Sequence, residues 1–243
     1  MTPYLAHGPA VGASLVRQLV GLVPHAQCAL VVAGSPRCAA PGLVLGLAQE
    51  AGFVVAVDSG GEDLRSAGLV PQLLIGDFDS IGGDTLAALE AAGAEVMSFD
   101  AHKDATDFEL ALKELRSRGF VAVVATKVLG GRIDHGLAAL ACLAAAAEAG
   151  TRVVIAEEDE CCVFLSAKTG CRLHLDFAAV PPPRFISLIP WGGDVTVSIS
   201  GVEWELEHAR LPLNGSRGVS NVVVGEDVHI EAHQGTALVV LEG

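Results

Sequence analysis

An α/β fold is predicted, with an N-terminal parallel-sheet domain over residues 1–158 and a C-terminal antiparallel β domain over 159–243. Three features of the sequence predict it. Up to about residue 156, short β-branched runs alternate with alanine- and leucine-rich stretches, the pattern of a parallel sheet covered by helices. After about Glu160 the alanine runs stop. From there, segments such as Val195-Thr-Val-Ser-Ile-Ser alternate apolar and polar residues with period two, as a half-buried strand does.

In chain order, the first domain is expected to place strands at 29–33, 53–58, 73–76, 95–99, 121–125 and 153–156. Helices are expected at 41–51, 84–92, 106–118 and 134–149. Thr106 followed by Glu109 fits a capping box, which puts Asp107 in the first helical turn, where the helix dipole favours a negative side chain. That local role is by itself a sufficient reason for an aspartate there. In the second domain the expected strands are 172–177, 185–189, 195–200, 202–206, 228–232 and 237–241, with Pro181, Pro182 and Pro183 marking a loop or an insertion.

Composition narrows the function. With 243 residues, 51% of them hydrophobic, the chain can fill one large core or two modest ones, which argues against disorder. A net charge of −14 and the lack of any Lys/Arg block argue against a nucleic-acid partner. The longest apolar run, Leu137 to Ala147, is shorter than the about 20 residues that cross a bilayer, so no membrane association is expected. His7, Gly8, Pro9 and Gly12 interrupt the N-terminal stretch before Arg17, against an export signal. The six cysteines, Cys28, Cys38, Cys142, Cys161, Cys162 and Cys171, show no C-x-x-C spacing. Reduced, mostly buried thiols in a cytoplasmic protein account for them better than disulfides or zinc.

The chemistry-bearing residues gather where strands end. Gly76-Asp77-Phe78-Asp79-Ser80 offers two carboxylates two positions apart, and Lys103-Asp104-Ala105-Thr106-Asp107 offers two more before a helix. Gly130-Gly131-Arg132-Ile133-Asp134-His135 follows the next strand, and Asp58-Ser59-Gly60-Gly61 closes an earlier one. In an open α/β sheet these ends share one edge, so Asp58, Asp77, Asp79, Asp104, Asp107 and Asp134 are expected to converge. Two unit charges 4 Å apart at an effective dielectric of 20 repel by about 4 kcal/mol. A divalent cation removes that cost, and oxygen-only ligands suit magnesium (Mg2+) with substrate phosphates. Lys103 and Arg132 are placed to meet phosphate oxygens the metal leaves uncovered, and Gly60, Gly61, Gly130 and Gly131 to allow close backbone approach.

These residues carry a resemblance. Asp58-Ser-Gly-Gly, Leu64, Gly68-Leu-Val-Pro71 and Ile75-Gly-Asp-Phe-Asp-Ser-Ile81 resemble the first signature of the thiamine pyrophosphokinase family. Lys103 to Asp107 and Gly130 to His135 resemble the second and third, in the same order, and Gly218-Val-Ser-Asn221 is similar to the family's Ser-Asn element, with Val202 to Leu206 like the strand preceding it. The resemblance implies a catalytic α/β domain that binds ATP and magnesium, a β-sandwich domain that binds thiamine, and a homodimer with active sites at the subunit interface. Position by position, it makes Asp77, Asp79 and Asp107 metal ligands, joined by Asp104 in the catalytic set. Asp58, Asp104, Arg132 and Asp134 fall in its ATP-handling motifs, and Ser220 and Asn221 match the thiamine pocket.

The activity so implied is pyrophosphoryl transfer from ATP to thiamine, giving thiamine diphosphate and AMP. An aspartate of the cluster is expected to take the hydroxyl proton in preference to His135. Two other readings fit the fold: a pyrophosphokinase for another heterocyclic alcohol such as a hydroxymethylpterin, and a nucleotide- or thiamine-sensing module without activity. Gly136 and Ala139 stand where the resemblance implies a small polar residue or Asn a few positions after the histidine, and residues 1–27 and Pro181–Pro183 have no counterpart in it.

Overall fold

The computed structural model of the chain describes residues 13–20, 23–36, 41–170, 172–178 and 180–243. Cys38, Cys171 and the stretch from His7 to Gly12 lie outside these residues. The described chain forms two compact units, one of residues 20–157 and one of residues 158–243 together with 13–19.

In the first unit the strands are β1 (Cys28–Val32), β2 (Phe53–Val57), β3 (Leu73–Gly76), β4 (Glu95–Ser98), β5 (Ala122–Thr126) and β6 (Arg152–Ala156). They pair in the order β6-β5-β1-β2-β3-β4, every neighbouring pair parallel. A parallel sheet with both faces covered reads as continuous apolar runs, and β1, β3 and β5 are buried at every position. Each fully buried Leu, Ile or Val contributes about 1.5–3 kcal/mol relative to exposure. β4 is the exception: it is short and its end residues are exposed, as suits an edge strand.

The expected helices appear as α2 (Pro41–Gln49), α4 (Gly83–Ala91), α5 (Asp107–Ser117) and α6 (Ile133–Glu148). In α5, Phe108, Ala111, Leu112 and Leu115 recur at helical spacing and are the buried side chains. Thr106 Oγ1 accepts from Glu109 N at 3.2 Å, so the N-cap predicted from the sequence is formed.

Two α-helices among the described residues were not foreseen. α1 (Ala13–Val20) buries Val16, Leu19 and Val20, and its Gln18 side chain bonds both the backbone N–H and C=O of Asp176. α3 (Gly60–Ser66) begins inside the segment read as a loop. Its two leading glycines discourage a helix by propensity, but a Cβ on Gly60 would lie 2.0 Å from Val32 O. One on Gly61 would meet Ile81 Cδ1 at 2.7 Å. Both glycines are buried and let α3 sit against the sheet.

In the second unit the strands are β7 (Glu160–Ser166), β8 (Arg172–Asp176), β9 (Phe185–Ser200), β10 (Leu206–Leu211) and β11 (Asp227–Glu242). All their ladders are antiparallel, and β11 is the shared element: β9 runs along it, while β7 pairs with its second half and β8 with its first. Residues 181–183 are irregular, as expected of the three prolines. The separate strands foreseen at 185–189 and 195–200 are one strand, and so are those at 228–232 and 237–241. Irregularities in register around Gln234 let β11 bend without ending. β7 was missed because six of its seven residues are buried, so it shows no alternation. The strand expected at 202–206 instead begins at Leu206, and before it Val202 alone makes a bridge, to Val223.

Candidate active site

β1 lies between β2 and β5, so the order of winding reverses there, and the crevice beyond the carboxyl ends of the strands is where an open α/β sheet binds ligands. A cleft of about 500 Å³ opens at that edge, and its lining includes Gly34, Ser35, Asp58, Asp77, Asp79, Lys103, Asp107, Lys127 and Arg132. The strand exits are held in unusual backbone: Asp58, Phe78 and Lys127 have φ of 46°, 62° and 57°. A left-handed conformation costs a non-glycine residue about 1–2 kcal/mol, and such strain collects at functional sites.

At the floor, Asp58, Asp77 and Asp107 each present a carboxylate oxygen, all within 4.8 Å of one another. Asp58 Oδ1 accepts from Phe78 N at 3.4 Å and lies over Gly76, where a Cβ would come within 1.7 Å of it. That close approach is why glycine precedes Asp77. Asp77 Oδ1 accepts from Asp79 N at 3.2 Å, which fixes the turn between the two aspartates. Lys103 Nζ stands 3.0 Å from Asp107 Oδ1 and 3.5 Å from Asp77 Oδ2. Asp107 Oδ1 is buried, and the Lys103 ammonium is the partner that meets it.

Electrostatics follow the crowding. Burial, and then the charge of Asp107, push the Asp58 carboxyl up to about 6. The Asp79 amide, with Lys103 beside it, holds Asp77 below the usual carboxylate range. Burial disfavours the Lys103 ammonium, yet the Asp107 and Asp77 carboxylates outweigh it and raise its pKa. Three hard oxygen donors, one of them buried, fit a magnesium ion better than a softer metal.

The other expected residues fall around this floor. Asp79 lines the cleft, but it is Asp58, first placed among the nucleotide-handling groups, whose oxygen converges with those of Asp77 and Asp107. Asp104 is exposed and off the lining, because it sits in the turn before the α5 cap. Arg132 lines the cleft. Asp134 does not, since its carboxylate grips the Arg132 guanidinium at two points, 3.1 and 2.6 Å, and so positions that side chain. This pairing lowers the Asp134 carboxyl to about 2.

Two groups escaped the sequence reading. Buried Lys127 lines the cleft and pairs through Nζ with Asp63 Oδ2 at 2.6 Å. Glu157, 2% exposed, accepts from the backbone amides of Lys127, Val128 and Leu129 at 3.1, 2.8 and 3.1 Å. Each is the polar residue directly after a buried strand, the same signal that singled out Asp58.

In the β unit, Asn221 Oδ1 accepts from Trp204 N at 3.0 Å, and its Nδ2 donates to Trp204 O at 2.8 Å. The side-chain amide, buried with its residue, is therefore committed to the backbone of Trp204. Trp204 itself is exposed. Ser220, with φ of 60°, donates its N–H to Ser187 Oγ and remains exposed.

Comparison with known proteins places this architecture. The model of the thiamin pyrophosphokinase catalytic domain matches residues 45–155, and that of the same family's vitamin B1 binding domain matches 175–236, together more than half of the chain. The chain belongs to the thiamin pyrophosphokinase family. The thiamine pyrophosphokinase of Bacillus subtilis is 26% identical over 196 residues, 80% of this chain and 88% of that protein. Thiamine pyrophosphokinase 1 of Arabidopsis thaliana is 28% identical over 170 residues, and there the match spans only 62% of the relative's length. In fold, the crystal structure of the Bacillus subtilis enzyme superposes with a TM-score of 0.78 at 23% identity, covering 88% of this chain and 98% of that one. Cleft and carboxylate cluster lie on the unit that carries the family's catalytic domain, and the Asn221–Trp204 clamp on the unit that carries its vitamin B1 binding domain. No helix among the described residues is long and apolar enough to cross a membrane.

Proposed function

We propose that this chain transfers the β,γ-pyrophosphoryl group of ATP to the primary hydroxyl of thiamine, releasing AMP and thiamine diphosphate. The observation that carries the proposal is the meeting of Asp58, Asp77 and Asp107 at the switch-point edge of a chain with both family domains. The thiamine oxygen attacks the β-phosphorus, the bond from that phosphorus to the oxygen bridging it to the α-phosphorus breaks, and AMP leaves with the bridging oxygen. Asp58, Asp77 and Asp107 would hold magnesium, with Asp79 at the rim. When bound, the ion neutralises charge on the phosphates as the bond to AMP breaks.

The chain's own work is binding and orientation. Lys103 and Arg132 add positive charge on the lining, Asp134 steadies Arg132, and the polyphosphate is thereby held in the crevice. A cluster aspartate receives the hydroxyl proton. On the β unit, exposed Trp204, held by Asn221, and exposed Ser220 offer a flat aromatic face and a hydroxyl to thiamine. The test is an assay with ATP, thiamine and magnesium. AMP and thiamine diphosphate should appear in equal amounts. ADP in place of AMP, or turnover of a pterin alcohol but not thiamine, would overturn the assignment.

The proposal includes a homodimer with active sites at the subunit interface. It is motivated by the family and by the exposed apolar side chains of the β unit, Trp204, Leu213, Val219 and Val224. Sedimentation at micromolar concentration is expected to give the mass of two chains, and a fully active monomer would remove the interface from the mechanism. A cytoplasmic location completes it, supported by the free thiols of Cys28 and Cys142 and tested by cell fractionation.

A further inference from the structure

The first half of β11 and its partner β8 carry a second cluster of metal-ligand side chains, unconnected with the carboxylates of the cleft. In their antiparallel register His229 stands opposite His174, and Asp227 opposite Asp176. Leu173, Leu175, Val228 and Ile230, the alternate residues, are buried, so the two histidines and two aspartates share the other, solvent-facing side. The imidazole rings of His174 and His229 stack with centroids 4.4 Å apart and planes within 5°. His174 Nε2 is 2.7 Å from Asp227 Oδ1. One ligand atom from each of His174, Asp227 and His229 lies within 4.8 Å of the others.

This pairing is unfavourable for a bare sheet surface. Like charges directly opposite on neighbouring strands are destabilising, and here one carboxylate faces another while two imidazoles are held face to face. One Asp176 oxygen is answered by the Ala178 amide at 2.8 Å, and one Asp227 oxygen by His174. A cation between the histidines and Asp227 would turn the crowding into coordination.

We propose that His174, Asp227 and His229 form a surface site for a first-row transition-metal dication of the zinc and copper class. Two imidazole nitrogens and one carboxylate oxygen are the donors such ions prefer, whereas magnesium takes oxygen ligands. Three protein ligands leave a coordination position for water or an external ligand. Because the ligands come from both strands, the ion ties β8 to β11.

The test uses the full chain saturated with magnesium, so that the oxygen-only cluster is filled, with copper(II) as the probe. Electron paramagnetic resonance is expected to show superhyperfine coupling to two nitrogens, abolished by competing zinc, and zinc alone should raise Tm. His174→Ala and His229→Ala should each weaken copper binding by about ten-fold or more and reduce the coupling to one nitrogen. His229→Gln serves the same purpose if the alanine variant does not fold. His208 and His233 stack at 4.0 Å and provide the control: replacing both with alanine should leave the signal intact. A spectrum without nitrogen coupling overturns the site. So does two-nitrogen coupling that survives His229→Ala, or a signal that disappears with His208 and His233.

Discussion

Asp107→Asn is expected to lower the rate of AMP formation by roughly 10²–10³-fold, the scale on which removal of one charge-stabilising group is felt in a preorganised site. The variant should stay folded. Two accounts of this residue compete, and they separate cleanly here. As a first-turn acid of α5, Asp107 contributes about 0.3–1 kcal/mol through the helix dipole, and its loss would scarcely touch activity. As a member of the floor cluster, it brings a buried oxygen toward those of Asp58 and Asp77. Neutralising it relieves repulsion with both neighbours but forfeits the Lys103 ion pair, so the metal-free Tm should change little. Calorimetric titration with magnesium supplies a readout independent of turnover: affinity should fall in step with activity. Near wild-type activity with unchanged magnesium affinity would reduce Asp107 to a first-turn acid of α5.

What the sequence made legible was whatever repeats or ends abruptly. Apolar runs bounded by Asp and Gly announced the parallel strands and their ligand edge, because a strand buried on both faces leaves only its exit for polar residues. Thr106 and Glu109 announced the start of α5 through local chemistry alone. Hidden from it were features that depend on packing between distant segments. Gly60 and Gly61 have turn composition, and only the nearness of Val32 O and Ile81 shows that they let a helix approach the sheet. Asn221 was recognised as a polar residue of the right kind, but the commitment of its amide to Trp204, seventeen positions away, appears only in the fold. Asp104 shares its motif with the floor residue Asp107, and Asp134 stands in another strand-end motif, but a motif does not say which carboxylate turns inward.

Glu157 shows the same gap with the largest expected effect on stability. Its carboxylate accepts three backbone amides at the exit of β5, and that exit in turn holds another wall of the cleft: Ala33 N donates to Thr126 O and Ser35 N to Lys127 O, each at 3.0 Å. Glu157→Ala strands three amides and opens a void. At about 1–3 kcal/mol for each buried group left unsatisfied, the loss is about 3 kcal/mol or more. At about 2–4 °C per kcal/mol for a chain of this size, Tm should fall by roughly 6–12 °C. Glu157→Gln is the sharper variant. Its carbonyl can still accept from Val128 and Leu129, but its amide group would face the Lys127 N–H donor to donor, so about a third of the loss is expected. Both variants should also raise the KM for ATP, because Lys127, Val128 and Ser35 line the cleft. The opposing expectation is that a buried carboxylate burdens the fold, and that removing its charge stabilises it. A thermal melt decides between them: if Glu157→Gln matches or exceeds the wild-type Tm, the amide-accepting role is not what retains an acid at the end of β6.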